Sequence, residues 1–172
     1  MKILLAIDDS KFSEAAAKSL AGQFRPQDTE VRVLHVVEPT VISEPPQMSR
    51  GYYPELEDRL PQAREVVDRT AITLSSAGFR VTTSVATGDA RSAILDDAAE
   101  WHADLIVLGS HGRKGLGRFF LGSVSEAVAR HARCSVQIVR IPTVSTVPRN
   151  ADPQSFSSSP RTRAPSESHF SP

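Results

Sequence analysis

Apolar residues along the chain alternate between two patterns. Short unbroken runs suit strands covered on both faces, and longer stretches with apolar residues every three to four positions suit amphipathic helices. Residues 2–7 are the first unbroken run. Asp8-Asp9-Ser10 follows and offers several N-caps for a helix over about 10–24, with Phe12, Ala15, Ala16, Leu20 and Phe24 as its apolar stripe. Gly22, Pro26 and Asp28 make 22–29 a turn. The second strand, 30–38, carries Val31, Val33, Leu34, Val36 and Val37, and Pro39 ends it. Four prolines, Gly51 and two tyrosines make 39–54 an excursion loop. A helix over about 55–77 presents Leu56, Leu60, Ala63, Val67, Ala71 and Leu74 on one face, and Gly78 stops it. Pro61 conflicts with an uninterrupted helix, so either a first turn stops there or Pro61 lies near the start of the main helix. Phe79 to Ala86 reads as the third strand, and Thr87-Gly88-Asp89 turns into a helix over about 89–100 with Ala90, Ile94 and Ala98 inward. Residues 104–108 make the fourth strand, about 123–131 the fourth helix, and Val136 to Ile141 the fifth strand.

Strands that alternate with helices imply an α/β domain with parallel pairing and right-handed crossovers. Ligands on such sheets sit at the carboxyl ends of strands, where the strand order reverses. The first and fourth strands are the expected switch pair, and their ends carry Asp8 and Gly109. After residue 142 the composition changes. Serine, proline and arginine dominate 143–172 without apolar period, so the expectation is one domain over 1–142 and a disordered tail.

Charge and cysteine content narrow the function classes. Twenty basic and twenty acidic residues cancel, which gives no global case for nucleic acid or an anionic membrane. A single cysteine, Cys134, excludes an internal disulfide framework and reads as a small buried hydrophobe. No apolar run has the length of a bilayer span, and the N-terminus has too few apolar residues before Asp8-Asp9 for a signal peptide. The expected location is the cytoplasm.

The candidate chemistry is concentrated in residues 104–126. A strand breaks at Gly109, passes through a basic glycine-rich loop and re-enters order at Gly122-Ser123, before a helix that uses Val124, Ala127 and Val128. Glycines let the backbone approach a phosphate closely, and a helix N-terminus adds unsatisfied N–H donors and partial positive charge. The stretch is not a P-loop, because no Gly-Lys-Ser/Thr ends it, and its glycine order differs from the dinucleotide fingerprint. A plainer reading stands beside the phosphate loop: Ser123-Val-Ser-Glu126 is also a capping box, with Ser123 as the cap. Asp8 is likewise either a helix cap or a carboxylate lining a ligand crevice. Arg113, Lys114 and Arg118 add positive charge that suits a triphosphate or a solvated loop. The five histidines have no metal-site spacing, and His111, in the loop, is expected to face solvent, with contact to a ligand as the alternative. Ser110-His111 lacks the context of a nucleophile elbow, and no residue stands out as a general base for attack on a γ-phosphate. Binding a nucleotide and turning it over are therefore separate claims.

Gly109-x2-Gly112-x9-Gly122-Ser123 resembles the ATP-binding signature of the universal stress protein family. Asp8 after the first strand, Leu34-His35-Val36, Thr87-Gly88-Asp89, Ile-Val-Leu-Gly-Ser-His-Gly at 106–112 and Leu-Gly-Ser-Val-Ser-Glu at 121–126 extend the resemblance over about residues 1–142. The departures are the proline-rich insertion at 39–54 and the tail. The resemblance implies a Rossmann-like five-stranded parallel sheet of order 3-2-1-4-5 with helices on both faces. It implies ATP bound between the first and fourth strands, with a divalent cation, Mg or Mn, at the phosphates. Asp8 would lie near the nucleotide, and the Val36 backbone would contact the adenine. Gly109 and Gly112 would approach ribose and phosphates, while Gly122, Ser123 and the N–H groups of Val124 and Ser125 would hold the phosphates. It also implies a homodimer, for which the β-branched fifth strand (Val136, Ile138, Val139, Ile141) suits edge pairing. The function implied is that of a nucleotide-dependent stress-response regulator or switch. The alternatives are a slow ATPase and a structural, partner-binding dimer that takes no nucleotide.

Overall fold

The computed structural model describes residues 1–39, 54–112 and 121–141. Most of the excursion loop, the cations Arg113, Lys114 and Arg118, and the tail from 143 onward lie outside the described residues. In chain order the elements are β1 (Lys2–Ile7), α1 (Lys11–Gln23), a 3-10 turn (Pro26–Asp28), β2 (Glu30–Val37), α2 (Pro54–Ser76), β3 (Arg80–Thr87), α3 (Ala90–Glu100), β4 (Leu105–Gly109), α4 (Ser123–His131) and β5 (Ser135–Val139). The strands form one sheet of order β3-β2-β1-β4-β5, with parallel pairing throughout. This is the order 3-2-1-4-5 that the resemblance implies. The chain reverses direction across the sheet between β1 and β4, where Ile3 pairs with Leu105 on one side and Val31 on the other.

The unbroken apolar runs are explained by burial on both faces. Ile3, Leu5 and Ile7 of β1 join Val31, Val33 and Val107 in a core closed by Ala16 and Leu20 of α1 and Val67 and Leu74 of α2. Leu4 and Ala6 point the other way and join Leu34, Ile106 and Leu108, closed by Ile94 and Ala98 of α3 and Val128 of α4. Successive residues of one strand thus serve two cores. Cys134 packs half-buried against the second core, and burial raises its thiol pKa above the ordinary value, so it is held protonated.

Helix ends account for several differences from the sequence expectations. α2 runs unbroken through Pro61, which is exposed, so the missing N–H costs one hydrogen bond and no core contact. At its C-terminus the Gly78 N–H donates to the Ser75 carbonyl and the Phe79 N–H to the Leu74 carbonyl, with Gly78 at φ 94°. This pairing buries Phe79 beside Leu74, so Phe79 closes a helix and β3 starts only at Arg80. α3 ends the same way, with the His102 N–H on Ala99 and the Ala103 N–H on Ala98, but its left-handed residue is His102 (φ 55°) in place of glycine. β5 is shorter than expected, ending at Val139. Among the described residues no helix is long and apolar enough to cross a membrane.

Candidate functional site

A cleft of about 480 Å³ opens at the carboxyl ends of β1, β2 and β4. The eight residues expected around a nucleotide all line it: Asp8, Val36, Gly109, Gly112, Gly122, Ser123, Val124 and Ser125. The walls also include Ser13, Glu38, Ala90, Arg91 and His111, of which the sequence reading named Ala90, as an inward helix residue, and His111.

Asp8 is not the cap of α1. Ser10 takes that place, its hydroxyl accepting from the Ser13 N–H. Asp8 instead forms a closed pair with Ser13: the Asp8 N–H donates to Ser13 Oγ (2.8 Å), and Ser13 Oγ donates to Asp8 Oδ1 (2.7 Å). Ser13 is buried, so the carboxylate is held at the cleft wall by a fixed hydroxyl. The other oxygen, Oδ2, would lie 2.8 Å from a Cβ placed on Gly112. Gly112 therefore lets the loop pass close over Asp8.

The two remaining glycines of the spacing have different work. A Cβ on Gly109 would fall 2.7 Å from Phe12 Cβ and 2.9 Å from its carbonyl carbon. Gly109 thus lets α1 pack on the end of β4, a structural requirement independent of any ligand. Gly122 sits at a junction built on backbone atoms. Its N–H donates to the Ser110 carbonyl (2.9 Å), while the Ser110 N–H donates to the Val139 carbonyl (2.8 Å). Ser125 is buried, and its hydroxyl lies within donating distance of both the Ser110 and the Gly122 carbonyls, at 3.1 and 2.9 Å. The start of α4 is thereby pinned to the ends of β4 and β5. His111 is half-buried rather than solvent-facing. Its ring lies 5.2 Å from that of Phe12, and its Nδ1 is 3.1 Å from Ser110 Oγ.

The capping box expected at Ser123 does not form. Gly122 is the N-cap residue, in extended conformation (φ −64°, ψ 152°), and its carbonyl already accepts from the Glu126 N–H. Ser123 therefore falls inside the first turn, where its hydroxyl cannot cap. Glu126 reaches forward to Arg130 at 2.9 Å. No side chain caps α4, which leaves the N–H groups of Ser123, Val124 and Ser125 without a side-chain acceptor among the described residues. Such a terminus favours an anion. α3 begins differently. Asp89 caps it by accepting from the Ser92 N–H (3.0 Å), and Glu38 Oε1 accepts from the Ala90 N–H (3.3 Å). The Ser92 N–H holds the Asp89 carboxyl below its ordinary pKa.

The cleft has two chemically distinct ends. One, at β4 and α4, offers glycine backbone and open N–H donors. The other, at β2 and α3, offers Val36, Ile94 and the charged side chains of Glu38 and Arg91. Sequence pattern gave no hint of the Ser110 carbonyl or of Glu38, because the first acts through its backbone and the second through a contact fifty-two residues away.

Comparison with known proteins gives a consistent picture. The family model described as "Universal stress protein family" matches residues 1–140. The universal stress protein Sll1388 of Synechocystis is 30% identical over 151 residues, covering 81% of this chain and 97% of its own length. Among solved structures, hypothetical protein MJ0577 aligns with a TM-score of 0.70 at 27% identity, over 83% of this chain and 96% of its own. A universal stress protein family member from Arabidopsis thaliana with AMP bound aligns with a TM-score of 0.59 at 18% identity, over 88% and 99%.

Proposed function

The chain belongs to the universal stress protein family, and from that premise we propose that it is a cytoplasmic, nucleotide-dependent regulator that binds ATP in the cleft between β1 and β4. The observation that carries this reading is the N-terminus of α4, which no described side chain caps and which lines a cleft at the strand-order reversal. The phosphates sit at Gly112, Gly122 and Ser123 and receive the N–H groups of Val124 and Ser125, where the helix terminus stabilises negative charge. The ribose lies by Asp8 and Gly109, and the base lies at the apolar end against Val36. The AMP bound to the Arabidopsis relative supports an adenine nucleotide. Among the described residues there is no cluster of three or more His, Cys, Asp or Glu that could hold a metal ion. Magnesium or manganese would be held through the phosphates of the nucleotide. The protein is a homodimer joined through β5. In support, β5 is the last strand of the sheet, and Val136, Ile138 and Val139 are only half-buried in one chain.

A switch binds and releases its ligand, whereas an ATPase consumes it. Equilibrium binding of ATP to nucleotide-free protein, run beside a phosphate-release assay, separates the two. The expected outcome is saturable binding with no phosphate release proportional to time and protein. Gly112→Val should remove the binding, since its Cβ would meet Asp8 Oδ2, while the circular dichroism spectrum stays that of the wild type. Absence of ATP binding by the wild type would overturn the proposal.

A further inference from the structure

We infer that Glu38 selects the base: its carboxylate accepts a hydrogen bond from the exocyclic amine of the nucleotide, so the site discriminates an aminopurine from the same purine bearing a carbonyl at that position. This rests on the nucleotide reading given above and extends it to a residue that the glycine spacing does not include. Three observations meet at Glu38. It lines the cleft at the end opposite the open terminus of α4, where the base must lie if the phosphates occupy that terminus. Its carboxylate is not a free surface charge, because Oε1 accepts from the Ala90 N–H at 3.3 Å and is tied to the start of α3. Its backbone is tied as well, since Arg59 Nη1 donates to the Glu38 carbonyl at 2.7 Å. One carboxylate oxygen is thus spent on α3. The other has no hydrogen bond to a described residue and remains an acceptor on the cleft wall.

The chemistry of that remaining oxygen sets the choice. An ionised carboxylate only accepts, so it attracts an N–H and repels a carbonyl oxygen. The 6-amino group of adenine satisfies it, and the 6-carbonyl of hypoxanthine does not. Val36, half-buried beside it, supplies an apolar surface for the ring and carries no such polarity in its side chain. Arg91, also on this wall, presents a guanidinium whose plane can cover a base face, which adds affinity without telling one purine from another.

The test is a competition between ATP and ITP, which differ at position 6 and, with it, at N1 (an acceptor in adenine, an N–H in hypoxanthine), on nucleotide-free full-length protein and on Glu38→Gln. The glutamine keeps an oxygen for the Ala90 N–H but turns the second atom from acceptor into donor. The wild type should prefer ATP by about tenfold, a modest ratio because Glu38 is exposed. In Glu38→Gln the preference should vanish or reverse through weaker ATP and stronger ITP binding. A gain for ITP cannot come from a damaged fold, which would weaken both. Equal affinity of the wild type for the two nucleotides would overturn the inference. An ATP preference unchanged in Glu38→Gln would also overturn it and assign discrimination to the Val36 backbone. In both cases the nucleotide reading would survive. A wild type that binds neither nucleotide would overturn that reading and this one together.

Discussion

Two helices begin on the same cleft, and they begin in opposite ways. α3 is closed by the chain's own carboxylates: Asp89 takes the Ser92 N–H, and Glu38 takes the Ala90 N–H. α4 starts from a glycine, and among the described residues no side chain caps it. Both termini present the same backbone donors and the same dipole. The difference lies in what the sequence places before the first turn and in Glu38, brought beside α3 from the end of β2. A helix that starts from glycine is less stable than one with Asp or Ser in that place by only about a few tenths of a kcal/mol. Ser10 caps α1 and Asp89 caps α3, whereas no described side chain caps α4; on the proposed reading its donors serve an external anion.

The comparison breaks most sharply if α4 is made to resemble α3. Gly122→Asp supplies an internal carboxylate at the phosphate end. Two lost charge-assisted hydrogen bonds of about 1.5 kcal/mol each predict ATP binding weakened by about 100-fold or more. Stability should change by less than about 1 kcal/mol, because the gain of a cap opposes a Cβ placed 3.3 Å from the Ser110 carbonyl oxygen. Loosening the junction has a smaller effect. Ser125→Ala removes the hydroxyl shared by the Ser110 and Gly122 carbonyls and should cost about 1–2 kcal/mol in urea denaturation, with a several-fold loss of ATP affinity.

Opening α3 tests the converse. Asp89→Ala should lower the melting temperature without creating a second phosphate site or weakening ATP, measured by thermal melting and titration. The same residue predicts a pH signature. Its carboxyl pKa is lowered in the folded chain, chiefly by the Ser92 backbone N–H, so its contribution is complete above the ordinary 3.8 and is lost as pH falls through the lower folded value. The acid limb of the melting curve should therefore be shallower in Asp89→Ala than in the wild type. The smallest effect lies at the far end of α3. His102 holds a left-handed conformation, and His102→Gly should stabilise by about 0.5–1 kcal/mol while leaving both helix starts unchanged.

Much of this architecture is legible in the chain, and what is hidden has physical causes. Leu4-Leu5-Ala6 had to be covered on both faces, so parallel pairing followed from the run itself. The spacing of Gly109, Gly112 and Gly122 placed a loop at the end of β4 and singled out residues that line one cleft. The same spacing did not reveal that Gly109 serves Phe12, because missing Cβ atoms look alike in sequence whether a ligand or a helix needs the room. Ser123-Val-Ser-Glu126 satisfied the capping-box pattern, yet the box requires the serine to lie one residue before the first turn. The register of α4, fixed by the Gly122 and Ser125 bonds to Ser110, puts it one residue too late. Glu38 escaped notice because its partner at Ala90 is brought to it only by the pairing of β2 with β3.

The central claim is that the open terminus of α4 is the phosphate site, and calorimetric titration of ATP with magnesium into nucleotide-free wild type and Gly122→Asp tests it most directly. The account predicts saturable binding by the wild type and loss of at least about 100-fold in a variant of unchanged melting behaviour. Equal ATP affinity in the two proteins would contradict it, since a carboxylate at Gly122 is incompatible with phosphates at the start of α4.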